Sequence, residues 1–136
     1  MSEPSTAGAE RLVLLLAGLG HVVGAATEAV VADAELAVAS AVVVLCDVDL
    51  HGPRRPGQLM EAAGLSSGGM SKLLDRMEAA GVIRRSYGKV PGDNRGVLVT
   101  ITARGRRTVR AVAAEVAARL PDAQPLVDEL AALLEG

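Results

Sequence analysis

The feature that most constrains the fold is an apolar content built almost entirely from small side chains. Half of the 136 residues are hydrophobic, yet the sequence contains no Phe, no Trp and a single tyrosine. A core of Ala, Val and Leu reaches native density only when its elements pack closely. The chain is long enough for one compact domain and too short for two ordinary ones. We therefore expect a single unit of closely packed helices.

The longest apolar segment, Ala9 to about Val31, is apolar on nearly every side of a helix. From Leu12 to Thr27 it carries no Asp, Glu, Lys or Arg. This uncharged stretch is shorter than the roughly 20 residues that cross a bilayer, and Glu28 follows it. We interpret it as a buried helix rather than a membrane anchor. A helix that is apolar all round must be covered all round, and the cover we expect is a second subunit.

The next segment, Glu35 to Asp49, is ambiguous. Its run of valines has the β-branched density of a buried strand, whereas its length favours a helix, which we choose. Asp33 is a possible N-cap, and the sequence His51-Gly52-Pro53 is a stop signal.

Two short helices and a hairpin are expected next. The first helix covers Pro56 to Ala63, and the second begins after an N-cap at Ser66 or Ser67 and ends at Ala80 before Gly81. Extended segments at Val82–Arg85 and Val97–Ile101 then flank a stretch rich in glycine and proline, which predicts a hairpin with a long tip. Helices capped by Thr102 and started by Pro125 follow. The fold class is mainly α with a small β-hairpin wing, a winged helix-turn-helix.

Charge is distributed unevenly along the chain. The segment from His51 to Arg110 holds 12 basic and 4 acidic residues, a net of +8, so the flanks must carry −10 to give the total of −2. A basic middle between acidic ends is typical of a protein with one face on a polyanion. The alternative is an ordinary solvated surface.

The second short helix has two different faces. Met70, Leu73, Leu74 and Met77 recur at helical spacing and should face the core. The opposite face is small and hydroxylic at its start and basic further along; it holds Ser67, Gly68, Ser71, Lys72, Asp75 and Arg76. Small residues let a helix enter a major groove about 12 Å wide. Gly68 and Gly69 fit close approach, and the alternative is a frayed first turn that is merely tolerated.

The hairpin carries basic residues on its first strand and at its tip. Arg84 and Arg85 precede a tip with Lys89, Asp93, Asn94 and Arg95. An arm ending in arginine suits a narrow minor groove, where negative potential is concentrated. We interpret Asp93 as a brace for the loop or for Arg95. For Tyr87 we favour packing at the base of the wing over stacking on DNA.

The segments RPGQLMEAAGLSSGGMSKLLDRMEAAGVIRR and PGDNRGVLVTITARGR resemble the MarR family of bacterial transcriptional regulators. The resemblance covers about residues 35 to 112. It implies a homodimer joined by N- and C-terminal helices on a pseudo-palindromic operator of double-stranded DNA. By position it places recognition-helix contacts on Ser66, Ser67, Ser71 and Lys72, Arg76 toward the backbone, and the wing arginine at Arg95. The chain departs from the family pattern at Gly68-Gly69 and around Gly105.

Family members often bind small aromatic or anionic effectors between the dimer helices and the DNA-binding lobe. The resemblance therefore implies a cleft lined by aliphatic residues, with His21 near it. The peroxide-sensing branch of the family places a reactive cysteine near the dimer interface, and Cys46 is the one cysteine here that resembles it. Its apolar setting offers no base to stabilise a thiolate, and we interpret it as a core residue.

Other site chemistries find little support in the residues. His21 and His51 are far apart and lack ligand spacing, so we expect no metal, and no cofactor. No catalytic triad, phosphate-binding loop or paired acids indicates an enzyme. A start without a basic signal region, and one cysteine, favour the cytoplasm, and the resemblance implies that it is a bacterial one.

The sequence thus predicts one domain over residues 1–136, with dimerisation helices at 9–34 and 103–136 and a DNA-binding lobe at 35–102. We expect a sequence-specific regulator, with a repressor favoured; the alternative is a winged-helix module that binds protein and does not select a DNA sequence. The predicted DNA-binding residues are Arg55, Ser66, Ser67, Gly68, Ser71, Lys72, Arg76, Arg84, Arg85, Lys89, Asn94 and Arg95, with Asp93 as the wing brace.

Overall fold

The computed structural model describes residues 5–88, 92 and 96–135. Within them the order of elements is six helices and one hairpin, with the following bounds: α1 Thr6–Val30, α2 Ala39–His51, α3 Pro56–Ala63, α4 Ser67–Ala79, β1 Ile83–Tyr87, β2 Val97–Ile101, α5 Ala103–Arg119 and α6 Gln124–Glu135. The two strands pair antiparallel, with Ile83 opposite Ile101 and Tyr87 opposite Val97. The predicted fold class, mainly helical with a two-stranded wing, is confirmed.

The segment that was ambiguous between helix and strand is helix α2, but it begins later than predicted. The Asp33 side chain accepts a hydrogen bond from the N–H of Glu35 at 2.9 Å, and its carbonyl accepts from Leu36 and Ala37. This local turn uses the side chain that we expected to cap the helix. The helix starts instead at Ala39, after Val38, which has no side-chain cap.

The main core lies inside the lobe formed by α2, α3, α4 and the wing. Its fully buried side chains include Val44, Val48, Leu59, Met70, Leu74, Met77, Ile83 and Val99. Every one of the four inward-facing residues predicted for α4 is buried. A smaller cluster of Ala26, Val42 and Val112 joins α1, α2 and α5.

Helix α5 is fixed to the lobe at its first turn. The Thr102 hydroxyl accepts from the N–H of Gly105 at 3.0 Å, which is the predicted cap, and donates to the carbonyl of Gly81 at 2.6 Å. A Cβ added at Gly105 would lie 2.0 Å from the carbonyl oxygen of Val82. Only glycine permits this approach of the helix to the start of the wing.

The terminal helices are covered far less than the lobe. Helix α1 buries only Ala26 and Thr27, and α6 buries none of its described residues. The first half of α1 is exposed, and no other part of the described chain covers it, so cover by a second subunit stays a prediction. By length and composition alone, α1 could also cross a membrane.

Candidate nucleic-acid interface

Helix α4 presents an exposed polar face because its opposite face is held in the core. Met70 and Met77 are buried, whereas Ser67, Ser71 and Lys72 are exposed. Ser66 is the N-cap: its Oγ accepts from the N–H of Gly69 at 3.1 Å. This bond fixes the first turn, the part of a recognition helix that meets base edges.

The two glycines of this turn lie in different surroundings. A Cβ on Gly69 would lie 3.3 Å from Oγ of Ser66, so glycine there accommodates the cap. A Cβ on Gly68 would meet nothing within 4 Å. Gly68 is exposed, and the space beside it is open to an incoming partner. The frayed first turn considered from the sequence does not describe α4, whose cap is in place.

Arg85, predicted to contact DNA, forms ion pairs with two carboxylates of α4. Its guanidinium donates to Asp75 at 2.7 Å and to Glu78 at 3.0 and 3.1 Å, and its backbone N–H donates to Glu78 at 2.9 Å. Arg85 is largely buried, with 18% of the side chain exposed. Because Nε and Nη2 of Arg85 donate to these carboxylates, Arg85 links β1 to the recognition helix, and its predicted contact with DNA stays a prediction.

The Arg85 contacts also shift the acidity of their members. The backbone N–H of Arg85, followed by its guanidinium, lowers the pKa of Glu78 below its usual value. The hydrogen bond to Asp75, followed by that to Glu78, raises the pKa of Arg85. Both groups therefore stay charged at neutral pH, which keeps the link between α4 and β1 ionic.

The remaining described basic residues of the predicted site are available to a partner. Arg55, Lys72 and Arg84 are exposed and have no ion pair with any carboxylate within the described ranges. Arg76 lies 3.6 Å from Glu35, but both side chains are more than half exposed, so this pair is weak. These four cations lie just before α3, on α4 and on β1, beside the recognition face.

A buried carboxylate that was not predicted from the sequence, Asp47, joins α2 to the base of the wing. Oδ1 of Asp47 accepts from Nε of Arg54 at 3.0 Å and lies 2.6 Å from Nδ1 of His51. Arg54 exchanges two backbone hydrogen bonds with Val99 of β2, at 3.0 and 2.7 Å. The signal was an aspartate within the apolar run of α2, four residues before a histidine.

Between the strands of the hairpin, the structure describes Gly88, Gly92 and Gly96. Lys89, Asp93, Asn94 and Arg95 lie outside the described residues. Tyr87 is described, and 66% of it is exposed. The favoured interpretation, packing at the base of the wing, is therefore wrong. Its ring borders a cleft of about 250 Å³ between α3, α4 and the wing, together with Ser67, Ser71 and Val97.

A larger cavity, of about 490 Å³, lies on the other side of the lobe, between α1, α2, α4 and α5. Most of its lining is aliphatic, including Val42, Leu45 and Val112, as expected from the resemblance. Arg104 and Thr108 add a cation and a hydroxyl that the sequence analysis did not assign to it. His21, expected near this cleft, is exposed on α1 and does not line it.

Cys46 lies between the two core clusters. Burial, with Asp49 and Asp47 nearby, raises the pKa of its thiol. A thiol that resists ionisation is a poor nucleophile at neutral pH, which agrees with the interpretation of Cys46 as a core residue. In the described part of the chain, no three His, Cys, Asp or Glu side chains form a possible metal site.

Comparison with known proteins supports the family resemblance. Residues 39–97 match the model of the MarR family. Among solved structures, RV1404 from Mycobacterium tuberculosis is 22% identical with a TM-score of 0.71, over 100% of this chain and 97% of that one. NadR in complex with 4-hydroxyphenylacetate is 18% identical with a TM-score of 0.75, over 99% and 91%.

The repressor CouR, bound to a 23-mer DNA duplex, is 21% identical with a TM-score of 0.69, over 98% of this chain and 95% of that one. A search of curated proteins finds no match. At these identities the structural likeness shows the fold, and the family match covers the helix-turn-helix and the first strand of the wing. Both agree with the resemblance drawn from the sequence, which is confirmed.

Proposed function

We propose that this chain, whose residues 39–97 match the MarR family, is a homodimeric, sequence-specific repressor acting on a pseudo-palindromic operator in the bacterial cytoplasm. The observation that carries the proposal is the exposed face of α4. Ser67, Gly68, Ser71 and Lys72 are exposed there, and the cap at Ser66 and a buried opposite face hold the helix beside the wing. Hydroxyls and small residues suit base edges, and the cation suits a phosphate.

The terminal helices support the dimer. Helix α1 exposes Leu12, Val13, Leu14, Leu15 and Leu16, and α6 exposes Leu133 and Leu134. Continuous apolar surface of this kind on a soluble protein marks an interaction site. We assign residues 9–34 and 103–136 to dimerisation and 35–102 to DNA binding, so that a two-fold axis would place two α4 helices on successive major grooves.

The cavity beside Arg104 supports release by a small-molecule effector. Its aliphatic lining suits an apolar body, and Arg104 and Thr108 suit an anionic or phenolic group. NadR was solved with such a compound, 4-hydroxyphenylacetate. Because the cavity lies between α1, α5 and the lobe, a ligand would act if it bound more tightly to the spacing of the two lobes that DNA does not accept.

Selection of binding sites from random duplexes tests the proposal. We expect enriched sequences with two inverted half-sites whose centres lie about 10 bp apart. The log of the association constant should fall with the log of salt concentration, with a slope near −0.9 for each phosphate neutralised. A folded dimer that enriches no sequence, or binds without salt dependence, would contradict the proposal.

Single substitutions test the assigned residues. Lys72→Ala and Arg95→Ala should each weaken binding and reduce the salt slope by about 1. Arg119→Ala is a matched control, because it removes the same charge from the far end of α5, where Arg119 pairs with Glu115. Equal losses for all three variants would show a general charge effect and would contradict a localised interface.

Gly68 allows stability and binding to be separated. Gly68→Ala should stabilise the protein by up to about 1 kcal/mol, since a Cβ there meets nothing within 4 Å. If α4 enters a groove at this turn, the same methyl group should weaken operator binding. Gly57→Ala, equally open on α3, is the control and should leave binding unchanged. If Gly68→Ala binds the operator as tightly as the wild type, the first turn of α4 does not approach DNA closely at Gly68.

One observation favours a second candidate, a winged-helix module that binds protein. Ion pairs within the fold engage Arg54, Arg85 and Arg106 of the basic segment, which reduces the positive charge left for phosphates. Under this alternative the random-duplex selection yields no consensus. Affinity for a partner protein would then depend on the exposed face of α4.

A further inference from the structure

The only aromatic side chain of the protein lies on the proposed DNA-binding face. Tyr87 is the last residue of β1 and pairs with Val97 of β2. Two-thirds of it is exposed, although burial of such a large ring would stabilise a core that has no Phe or Trp. Nothing in the packing of the described lobe accounts for this exposure.

The surroundings of Tyr87 connect it with the recognition helix. Tyr87 borders a cleft that is also lined by Ser67 and Ser71, two exposed residues of α4, and by Pro56 and Met60 of α3. Tyr87 therefore faces the same side of the molecule as the outer face of α4. The strand that carries it is held against α4 by the Arg85 contacts to Asp75 and Glu78, so its position relative to the helix is fixed.

The position of Tyr87 along the wing identifies the part of DNA that it meets. In the proposed complex α4 enters the major groove, and the sequence predicts that the wing arginine, Arg95, enters the minor groove. The sugar–phosphate backbone separates these two grooves. Tyr87 stands at the end of β1 beside the exposed face of α4, so in that complex it would lie over this backbone.

We propose that Tyr87 is a DNA-positioning residue whose phenolic hydroxyl donates a hydrogen bond to a backbone phosphate between the two grooves. This inference rests on the proposed function. A tyrosine hydroxyl is a common donor to phosphate, and such a bond orients the protein without selecting a base. Since the phenol is neutral, the contact replaces no counterion, which separates it experimentally from contacts made by Arg or Lys.

The test compares wild-type protein with Tyr87→Phe and Lys72→Ala on the selected operator and on an unrelated duplex, at several salt concentrations. Tyr87→Phe removes only the hydroxyl and should weaken binding by about tenfold on both duplexes. Its salt slope should equal that of the wild type, whereas Lys72→Ala should reduce the slope by about 1. Circular dichroism should be unchanged, because the substituted atom is exposed.

Tyrosine emission supplies a second readout, since the protein has no tryptophan. Adding operator DNA should change the emission of Tyr87 in the wild type. If the wild type binds DNA but Tyr87→Phe binds within twofold of it, or if emission does not respond, the inference on Tyr87 is overturned while the proposed function stands. If the wild type binds no duplex, both are overturned.

Discussion

The lobe of α2 to β2 and the terminal helices use similar apolar residues in opposite ways. In the lobe, Leu59, Met70 and Met77 are at most 1% exposed. In α1, Leu12 to Leu16 are each about half exposed or more, and in α6 Leu134 is almost fully exposed. The lobe buries its apolar side chains within one chain, whereas the terminal helices leave many of theirs exposed. Apolar content alone therefore does not say whether a segment completes a core or an interface.

The largest expected effect comes from placing charges on the exposed apolar surface of α1. Leu12→Glu combined with Leu16→Glu places two carboxylates one helical turn apart on α1. We expect the dimer dissociation constant to rise at least about 1,000-fold, since each charge would be buried without a partner. Sedimentation velocity measures it. Circular dichroism of the lobe should change little, because both leucines are already half exposed.

Ala62→Glu is the control, because it adds a charge to an exposed position of the lobe on α3. It should leave the dimer intact. The wild type could prove monomeric at tens of micromolar, or the doubly charged variant could remain dimeric. Either result would show that the exposed apolar side of α1 is not a dimer interface.

The next largest effect comes from adding a methyl group at Gly105, where α5 packs tightly against Val82. Gly105→Ala places a Cβ about 2.0 Å from the Val82 carbonyl oxygen, which only a backbone shift can relieve. We expect a loss of at least about 3 kcal/mol of unfolding free energy. Urea denaturation measures it, with Gly57→Ala as the control, since that Cβ meets nothing within 4 Å. Equal stability of the two variants would contradict the packing at Gly105.

A smaller effect is expected from breaking the contact between Asp47 and Arg54. Asp47→Asn leaves the guanidinium of Arg54 without its carboxylate at the base of the wing and should cost about 2 kcal/mol at pH 7. Asp49→Asn is the comparison, because Asp49 pairs with the exposed Arg106 and Arg110 of α5 and should cost less than about 1 kcal/mol.

A double-mutant cycle separates the Asp47–Arg54 contact from general damage. If the two side chains act through each other, Arg54→Met should cost less in the Asp47→Asn background than in the wild type. Fully additive losses would show that Asp47 and Arg54 do not act as a pair.

The smallest effect concerns the Arg85 link and depends on pH. The folded pKa of Glu78 is lowered, so its contribution to stability is present above the ordinary glutamate value of about 4.3 and is lost as the pH falls through the folded pKa. Glu78→Gln should melt about 2 °C below the wild type at pH 7, and this difference should disappear at low pH. Thermal scans from pH 7 to 3 measure it; a constant difference would contradict the ionic link.

Periodicity and capping residues were sufficient to predict the lobe. The i, i+3, i+4 and i+7 spacing of Met70 to Met77, the caps at Ser66 and Thr102, and the stops at Gly64 and Gly81 are local signals, and each appears in the structure. The start of α2 was misplaced because Asp33 forms a turn instead of a cap. Both outcomes of Asp33 satisfy the same local rule, so the sequence alone could not separate them.

The charged residues show the limit of the sequence more clearly. Counting charges placed Arg84 and Arg85 together on the wing, yet Arg84 is exposed and Arg85 is bound by Asp75 and Glu78. Strand alternation turns neighbouring side chains to opposite faces, and Arg85 meets carboxylates ten and seven residues earlier only because α4 packs on β1. The net charge of a segment therefore overstates the charge available to a partner.

By itself the sequence determined the fold class, the faces of the recognition helix and the family resemblance, because these follow from local periodicity, caps and short motifs. Only the tertiary structure decided which of the described cations form ion pairs, that Asp47 binds Arg54 at the base of the wing, that Tyr87 is exposed, and that the first half of α1 is exposed. The physical reason is that burial and ion pairing depend on contacts between residues distant in sequence. The sequence alone does not distinguish a leucine that will be buried from one that stays exposed, or an arginine that will form an ion pair from one that will not.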